Sequence, residues 1–163
     1  MRRQNDPVIV VGVDGSGCSV EALRLAARLA PALSARIRAI LCWDYPIFYS
    51  GFTPMGLDAY EKSAGISLQS ALEEAFGPEL PANLSSEVRQ GPPAAILVEE
   101  SFDARMLVLG SRGLGGFRGL LLGSVSSICA SHAHCPVLVV HDDDMAQPDL
   151  TEPATAADLR SEP

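Results

Sequence analysis

Met106-Leu-Val-Leu-Gly110-Ser-Arg-Gly113-Leu-Gly-Gly-Phe-Arg-Gly-Leu-Leu-Leu-Gly123-Ser124 runs from an apolar strand through a glycine-rich loop to the start of a helix, Val125 to Ala133. Two glycines three apart, nine intervening residues and a Gly-Ser pair expose backbone amides without side chains to block them. Such a loop, ending at a helix N-terminus with its partial positive charge, makes a natural cradle for phosphate. Further glycines at 115, 116 and 119 make this a loop expected to order on a ligand.

Outward from this loop the chain alternates strands and helices. Val8-Ile-Val-Val-Gly-Val13 is the continuous apolar run of a strand buried on both faces. The polar turn Asp14-Gly-Ser-Gly17 follows, then a helix over about Cys18 to Leu33. Its polar stripe is Glu21, Arg24 and Arg28; Leu23, Ala26, Ala27 and Ala30 face the sheet, and Pro31 and Ser34 help to stop it. The second strand spans Arg36 to Trp43, and residues 44–56, rich in Pro, Gly and aromatics, read as a long loop. A helix over Leu57 to Phe76, with Ile66, Leu68, Ala71, Leu72 and Ala75 inward, stops at Gly77-Pro78. Leu84 to Gln90 is polar and alternating, as suits an edge strand. A helix over Ala94 to Phe102, with Ile96, Leu97 and Val98 inward, leads to the strand Met106 to Leu109; Pro136 to Val140 forms the last strand.

This alternation predicts one α/β domain: a doubly wound, Rossmann-like, five-stranded parallel sheet in the order 3-2-1-4-5 with right-handed crossovers. Ligands of such sheets bind at the carboxyl ends of the strands where the order reverses. Asp14 and the Gly110 loop end the two strands that flank that point, so two separate signals converge on one place.

The bulk numbers narrow the function classes. A chain of 163 residues with 47% hydrophobic and 6% aromatic content fits a single core of Val, Leu, Ile and Ala. Apolar runs are too short for a membrane span or a signal peptide, so a cytoplasmic protein without a membrane partner is expected. The net charge of −8 is concentrated in residues 142–163, which hold Asp142, Asp143, Asp144, Asp149, Glu152, Asp158 and Glu162 against Arg160. That stretch reads as a disordered acidic tail, residues 1–6 as a flexible N-terminus, and residues 7–141 as the folded domain. A nearly neutral domain gives no electrostatic footprint for nucleic acid. Cys18, Cys42, Cys129 and Cys135 form no CxxC pair and read as small buried apolar residues. His132, His134 and Cys135 are close in sequence, but the two histidines diverge at a helix end, so no protein-built metal site is expected.

The familiar phosphate loops are excluded. The single lysine, Lys62, is far from any GxxxxGK[ST] loop, and Asp14-Gly-Ser-Gly17 lacks the GxGxxG spacing after the first strand.

The pattern Gly110, Gly113, Gly123, Ser124 instead resembles the nucleotide-binding signature of the universal stress protein family: Gly, two residues, Gly, nine residues, Gly, then Ser or Thr. Val-Gly-Val-Asp-Gly-Ser at 11–16, Leu-Gly-Ser-Val-Ser at 122–126 and Cys-Pro-Val-Leu-Val-Val at 135–140 also look like the family's wording. The resemblance covers about residues 7–141. It implies an adenine nucleotide, ATP or else AMP or ADP, with Mg2+ accompanying it. It implies that Asp14 holds the adenosine part, with Val13 beside it, and that Cys42 lines the adenine pocket. Gly110, Ser111, Arg112 and Gly113 would meet ribose and phosphates, and Gly123, Ser124 and Val125 would offer amides and a hydroxyl. Asp14 is the residue placed to reach the metal. Val137, Leu138, Val139 and Val140 resemble the family's dimer strand, which pairs antiparallel with its twin. The resemblance thus implies a homodimeric, nucleotide-binding regulator of the stress response with a regulatory protein partner. Arg105 stands where the family often has an acid, and the aromatic loop Tyr45 to Phe52 lies where the family varies.

Two other readings stay open. A slow Mg-dependent ATPase or phosphotransferase needs a metal-holding carboxylate and a group to orient water; Asp14 serves the first need, but residues 104–141 contain no acid for the second. A nucleotide-free dimeric scaffold would use the same fold. Each site residue also has a plain structural role: Ser124 as a helix N-cap, Asp14 as an acceptor for the first helical turn, Cys42 as core.

Overall fold

The structure, a computed structural model, describes residues 6–44, 56–115 and 121–141. Residues 1–5 of the expected N-terminal segment 1–6, residues 45–55 of the expected loop 44–56, the glycines at 116 and 119 and the acidic stretch at 142–163 lie outside the described residues. The elements in chain order are β1 (Val8–Val13), α1 (Gly17–Leu29), β2 (Arg36–Trp43), α2 (Leu57–Phe76), β3 (Leu84–Gln90), α3 (Pro93–Glu100), β4 (Met106–Gly110), α4 (Ser124–His132) and β5 (Val137–Val140). They build one five-stranded parallel sheet in the order β3-β2-β1-β4-β5.

The continuous apolar strands supply both faces of this sheet. Ile9, Val11 and Val13 of β1, with Ile37, Ala39 and Leu41 of β2, pack against Val20, Leu23 and Ala26 of α1 and Leu68, Ala71 and Leu72 of α2. The alternate residues Val10, Ile40, Leu107 and Leu109 point the other way, onto Ile96 and Leu97 of α3 and Cys129 of α4. A strand side chain alternates faces at every step, so a strand covered on both sides has no room for polar residues at either parity. The two edge strands are the exceptions: neither β3 nor β5 is buried at any position, and of the two only β3 has exposed ones.

Several element ends depart from the expected ones. α1 stops at Leu29, four residues early. Pro31 supplies no N–H to continue the helix, and Ser34 turns the chain with φ 49°. Arg24, on the expected polar stripe, reaches to the end of α2, where its guanidinium donates to the carbonyls of Glu74 at 2.7 Å and Ala75 at 3.4 Å. α2 has no basic residue in its own last turn, so this arginine supplies the cation its C-terminus favours.

Ile66, expected to face inward, is 61% exposed. The buried positions of α2 are Ala64, Leu68, Ala71 and Leu72, and Ile66 falls about 200° around the helix from Leu68, on the opposite face. α3 ends at Glu100, so Phe102 lies beyond it, 65% exposed and stacked on His134 with ring centroids 3.6 Å apart. Among the described residues no helix is long and apolar enough to cross a membrane.

Candidate functional site

The chain leaves β1 toward β2 and β3 on one side and returns to β4 on the other, so the order reverses between β1 and β4. At their carboxyl ends lies a cleft of about 510 Å3. Nine of the ten residues expected there line it: Val13 and Asp14 after β1, Cys42 late in β2, Gly110, Arg112 and Gly113 at the loop, and Gly123, Ser124 and Val125 at the start of α4. The structure therefore brings together in one concavity residues that span more than a hundred positions of sequence.

Ser111 is the tenth, and it sits below the cleft, 1% exposed. Its amide donates to the carbonyl of Val140 at 2.7 Å, continuing the β4–β5 ladder. Its own carbonyl accepts from the Gly123 amide at 2.6 Å and from the Ser126 hydroxyl at 3.0 Å. These bonds close the neck of the glycine-rich loop, joining its first residue to its last. Ser126 was not legible as part of the site; its hydroxyl, 3.0 Å from both the Ser111 and the Gly123 carbonyl, belongs to that neck.

The two helix N-termini at the cleft differ. In α1, Ser16 is the N-cap, and its hydroxyl accepts from the Ser19 amide at 3.3 Å. In α4 the N-cap is Gly123 and no side chain caps it; Ser124, expected as the cap, is the first helical residue. Capping needs a side-chain oxygen one position before the helix, and glycine has none. The first amides of α4 thus face the cleft with their partial positive charge uncompensated by a cap.

Asp14 lines the same cleft. Its Oδ1 accepts from the Ser16 amide at 2.9 Å and from the Ser16 hydroxyl at 2.5 Å, and its Oδ2 accepts from the Leu114 amide at 3.1 Å. Asp14 is the one carboxylate and Arg112 the one cation lining the cleft among the described residues. The inner end is apolar: Ile40 and Cys42 on β2, Leu109 on β4, and Pro93 and Leu97 on α3. Ile40 and Cys42 share a face by strand alternation, but nothing local in the sequence marks Pro93 or Leu97. A cleft apolar at one end and lined by helix amides at the other suits a ligand with a flat apolar ring and an anionic group.

Burial pushes the Cys42 thiol up to about 11, against a smaller pull downward from Arg89. Burial likewise pushes Cys129 up to about 11, and it raises Cys135. Protonated thiols pack as small apolar groups: Cys42 in the lining of the cleft, Cys129 and Cys135 in the core beneath α3 and α4. The folded pKa lies above the ordinary value of 9.0, so the folded form holds its protons longer than the unfolded chain does. The stabilisation is complete below pH 9.0 and is lost as pH rises toward about 11. The urea midpoint is expected to fall over that window, and less so in a Cys42→Ala, Cys129→Ala double variant; equal slopes for the two proteins would refute this origin.

A model of the Universal stress protein family matches residues 7–141. A universal stress protein of Mycobacterium tuberculosis is 33% identical over 154 residues, which cover 86% of this chain and 49% of that one. One of Mycolicibacterium smegmatis is 34% identical over 154 residues, 89% of this chain and 51% of that one. The chain spans about half the length of the curated relatives it matches. Among solved structures, the universal stress protein UspA from Lactobacillus plantarum has a TM-score of 0.67 at 24% identity, covering 85% of this chain and 99% of that chain. A universal stress protein in complex with cAMP has a TM-score of 0.63 at 26% identity, covering 84% and 98%. A family protein from Arabidopsis thaliana with AMP bound has a TM-score of 0.54 at 20% identity, covering 88% and 97%.

Proposed function

The chain belongs to the universal stress protein family, and from that premise we propose that it is a regulator that binds an adenine nucleotide in the cleft between β1 and β4. The observation that carries this reading is the uncapped N-terminus of α4, which lines the same cleft as Asp14. An anion is the partner such amides lack. The base lies toward Ile40, Cys42 and Leu97, the ribose near Asp14 and Gly113, and the phosphate against Gly123, Ser124 and Val125. The cAMP and AMP complexes of two structural relatives support adenine as the base.

Asp14 and Arg112 carry opposite charges, so a triphosphate enters a cleft with no net positive side chain. Mg2+ accompanying ATP would lower that charge, with Asp14 the carboxylate in reach; a monophosphate has less need of the ion. β5 lies at the edge of the sheet with all four residues half-exposed, and we assign it to pairing with a second copy, through which a nucleotide-dependent change reaches a protein partner.

Calorimetric titration with AMP, cAMP, and ATP with and without Mg2+ tests the reading. Saturable binding of one nucleotide per chain is expected, with ATP gaining from Mg2+. No heat from any of the three at millimolar concentration, in a protein whose fold is verified, would end it.

A further inference from the structure

Asp14 does more than face the cleft: it joins two segments of chain a hundred residues apart. One carboxylate oxygen holds the β1–α1 turn through the Ser16 amide and hydroxyl, and the other holds the Leu114 amide in the first turn of the glycine-rich loop. The Gly113 backbone packs against the same Oδ2, so closely that a Cβ there would stand 2.5 Å from it. The Ser16 hydroxyl, bonded to Asp14, lies 3.4 Å from the Arg112 carbonyl of the same loop. The loop is thus tied at its neck by Ser111, Gly123 and Ser126, and tied again at its first turn by Asp14.

Only a side chain with two acceptor oxygens fills this role. A carboxylate accepts at both ends, whereas a carboxamide presents an NH2 at one of them, turned toward an N–H of the protein. Glycine at 113 is the other half of the fit, because any side chain there displaces Oδ2.

We propose that Asp14 is a releasable strap on the glycine-rich loop, and that a nucleotide engaging Oδ2 frees the Leu114 amide as it binds. This rests on the nucleotide reading above. The oxygen assigned to the ribose or its metal ion already has a donor, the Leu114 amide at 3.1 Å. A sugar hydroxyl reaching Oδ2 competes for the place of the Leu114 N–H. A divalent cation there also repels that amide, whose positive end points at the same atom. Binding therefore exchanges a loop contact for a ligand contact. The exposed Leu114, 76% accessible, then leaves its fixed position beside Asp14. The ligand is read out as a change in the first turn of the loop, at a residue that faces solvent and not the core.

Amide exchange followed residue by residue by 15N–1H NMR tests the strap in three arms. Without ligand, Leu114 should exchange on the order of tenfold faster in Asp14→Asn and in Gly113→Ala than in the wild type, since each loses one charge-assisted bond. Amides of β1 and α1 should keep their rates in both. Unchanged Leu114 exchange in two folded variants, one made by charge and one by bulk, overturns the strap.

In the third arm, wild-type protein is saturated with AMP or with MgATP. Faster Leu114 exchange, together with shifted and protected Ser124 and Val125 amides, is the expected result. Shifts at Ser124 and Val125 with Leu114 unchanged or slowed overturn the exchange of contacts and leave the nucleotide reading standing. No shift at any cleft amide overturns the exchange and the nucleotide reading together, and the variant arms alone then decide whether Asp14 straps the loop.

Discussion

A Gly110→Ala protein is expected to lose about 2–3 kcal/mol of stability, the largest effect on folding that any change in the glycine signature produces. An added Cβ would lie 2.6 Å from the Cys18 Cβ, 2.9 Å from the Cys18 carbonyl carbon and 3.1 Å from the Ser19 amide nitrogen. Two of these three atoms are backbone in the first turn of α1, so no side-chain rotation relieves the contact. The helix itself has to move. It is held against the sheet by Val20, Leu23 and Ala26, all 1% exposed or less, and at its start by the Ser16 cap.

Gly12 provides the comparison. A Cβ there would meet Leu109 Cδ2 at 2.5 Å and Leu97 Cδ1 at 2.9 Å, both of them ends of rotatable side chains. Gly12→Ala is therefore expected to cost less than Gly110→Ala, although its nearest contact is as short. Urea unfolding of the two variants beside the wild type measures both; a Gly110→Ala midpoint no lower than that of Gly12→Ala would show that α1 gives way more easily than its packing implies. A shift of α1 also carries Ser16 and Asp14 with it, so whatever fraction of this variant folds should bind nucleotide poorly.

The sheet was legible because its determinants are local. Val8 to Val13 and Met106 to Leu109 are apolar at both parities, and only a strand covered on both faces calls for that pattern. Strand order followed from the alternation of elements, and the place of the cleft followed from strand order. Helix faces were less secure. Ile66 is as apolar as Leu68 and only two residues away, and composition alone does not separate an inner from an outer isoleucine.

The individual jobs of the signature residues were not legible either, because each depends on a neighbour distant in sequence. The spacing marks Gly110, Gly113 and Gly123 as one motif, yet Gly110 is required by α1, Gly113 by the carboxylate of Asp14, and Gly123 by neither. Ser126 and Ser111 meet only when the loop closes on itself, and the Asp14–Leu114 bond joins the ends of β1 and β4, neighbours in the sheet but a hundred residues apart in sequence. A motif states which residues matter together; the packing states which of them the fold needs without any ligand.

That distinction is sharpest at Gly123. In Gly123→Val, nucleotide affinity is expected to fall at least about 100-fold, close to 3 kcal/mol, while stability changes by no more than about 1 kcal/mol. The backbone at this position has φ −74° and ψ 171°, an extended conformation open to any residue. The nearest atoms to an added Cβ are the Ser111 carbonyl oxygen at 3.5 Å, the Arg112 Cα at 3.7 Å and the Gly113 amide nitrogen at 3.8 Å, all ordinary van der Waals contacts. The Gly123 amide keeps its bond to Ser111, and the Gly123 carbonyl keeps those from Ser126 and Ser127.

What changes is the space between Gly123 and Gly113, both of which line the cleft. A branched side chain fills it with methyl groups beside the free amides of α4, where a phosphate has to approach within hydrogen-bonding distance. Gly123→Ala, with one carbon and no branch, should lose less. Affinity and unfolding midpoint measured on the same samples separate the alternatives. Unchanged affinity in a folded Gly123→Val protein would place the ligand away from the α4 N-terminus. A collapsed midpoint would make Gly123 a packing glycine like Gly110. Lost binding on an intact fold would leave the approach of an anion to those amides as the reason for a glycine at this position.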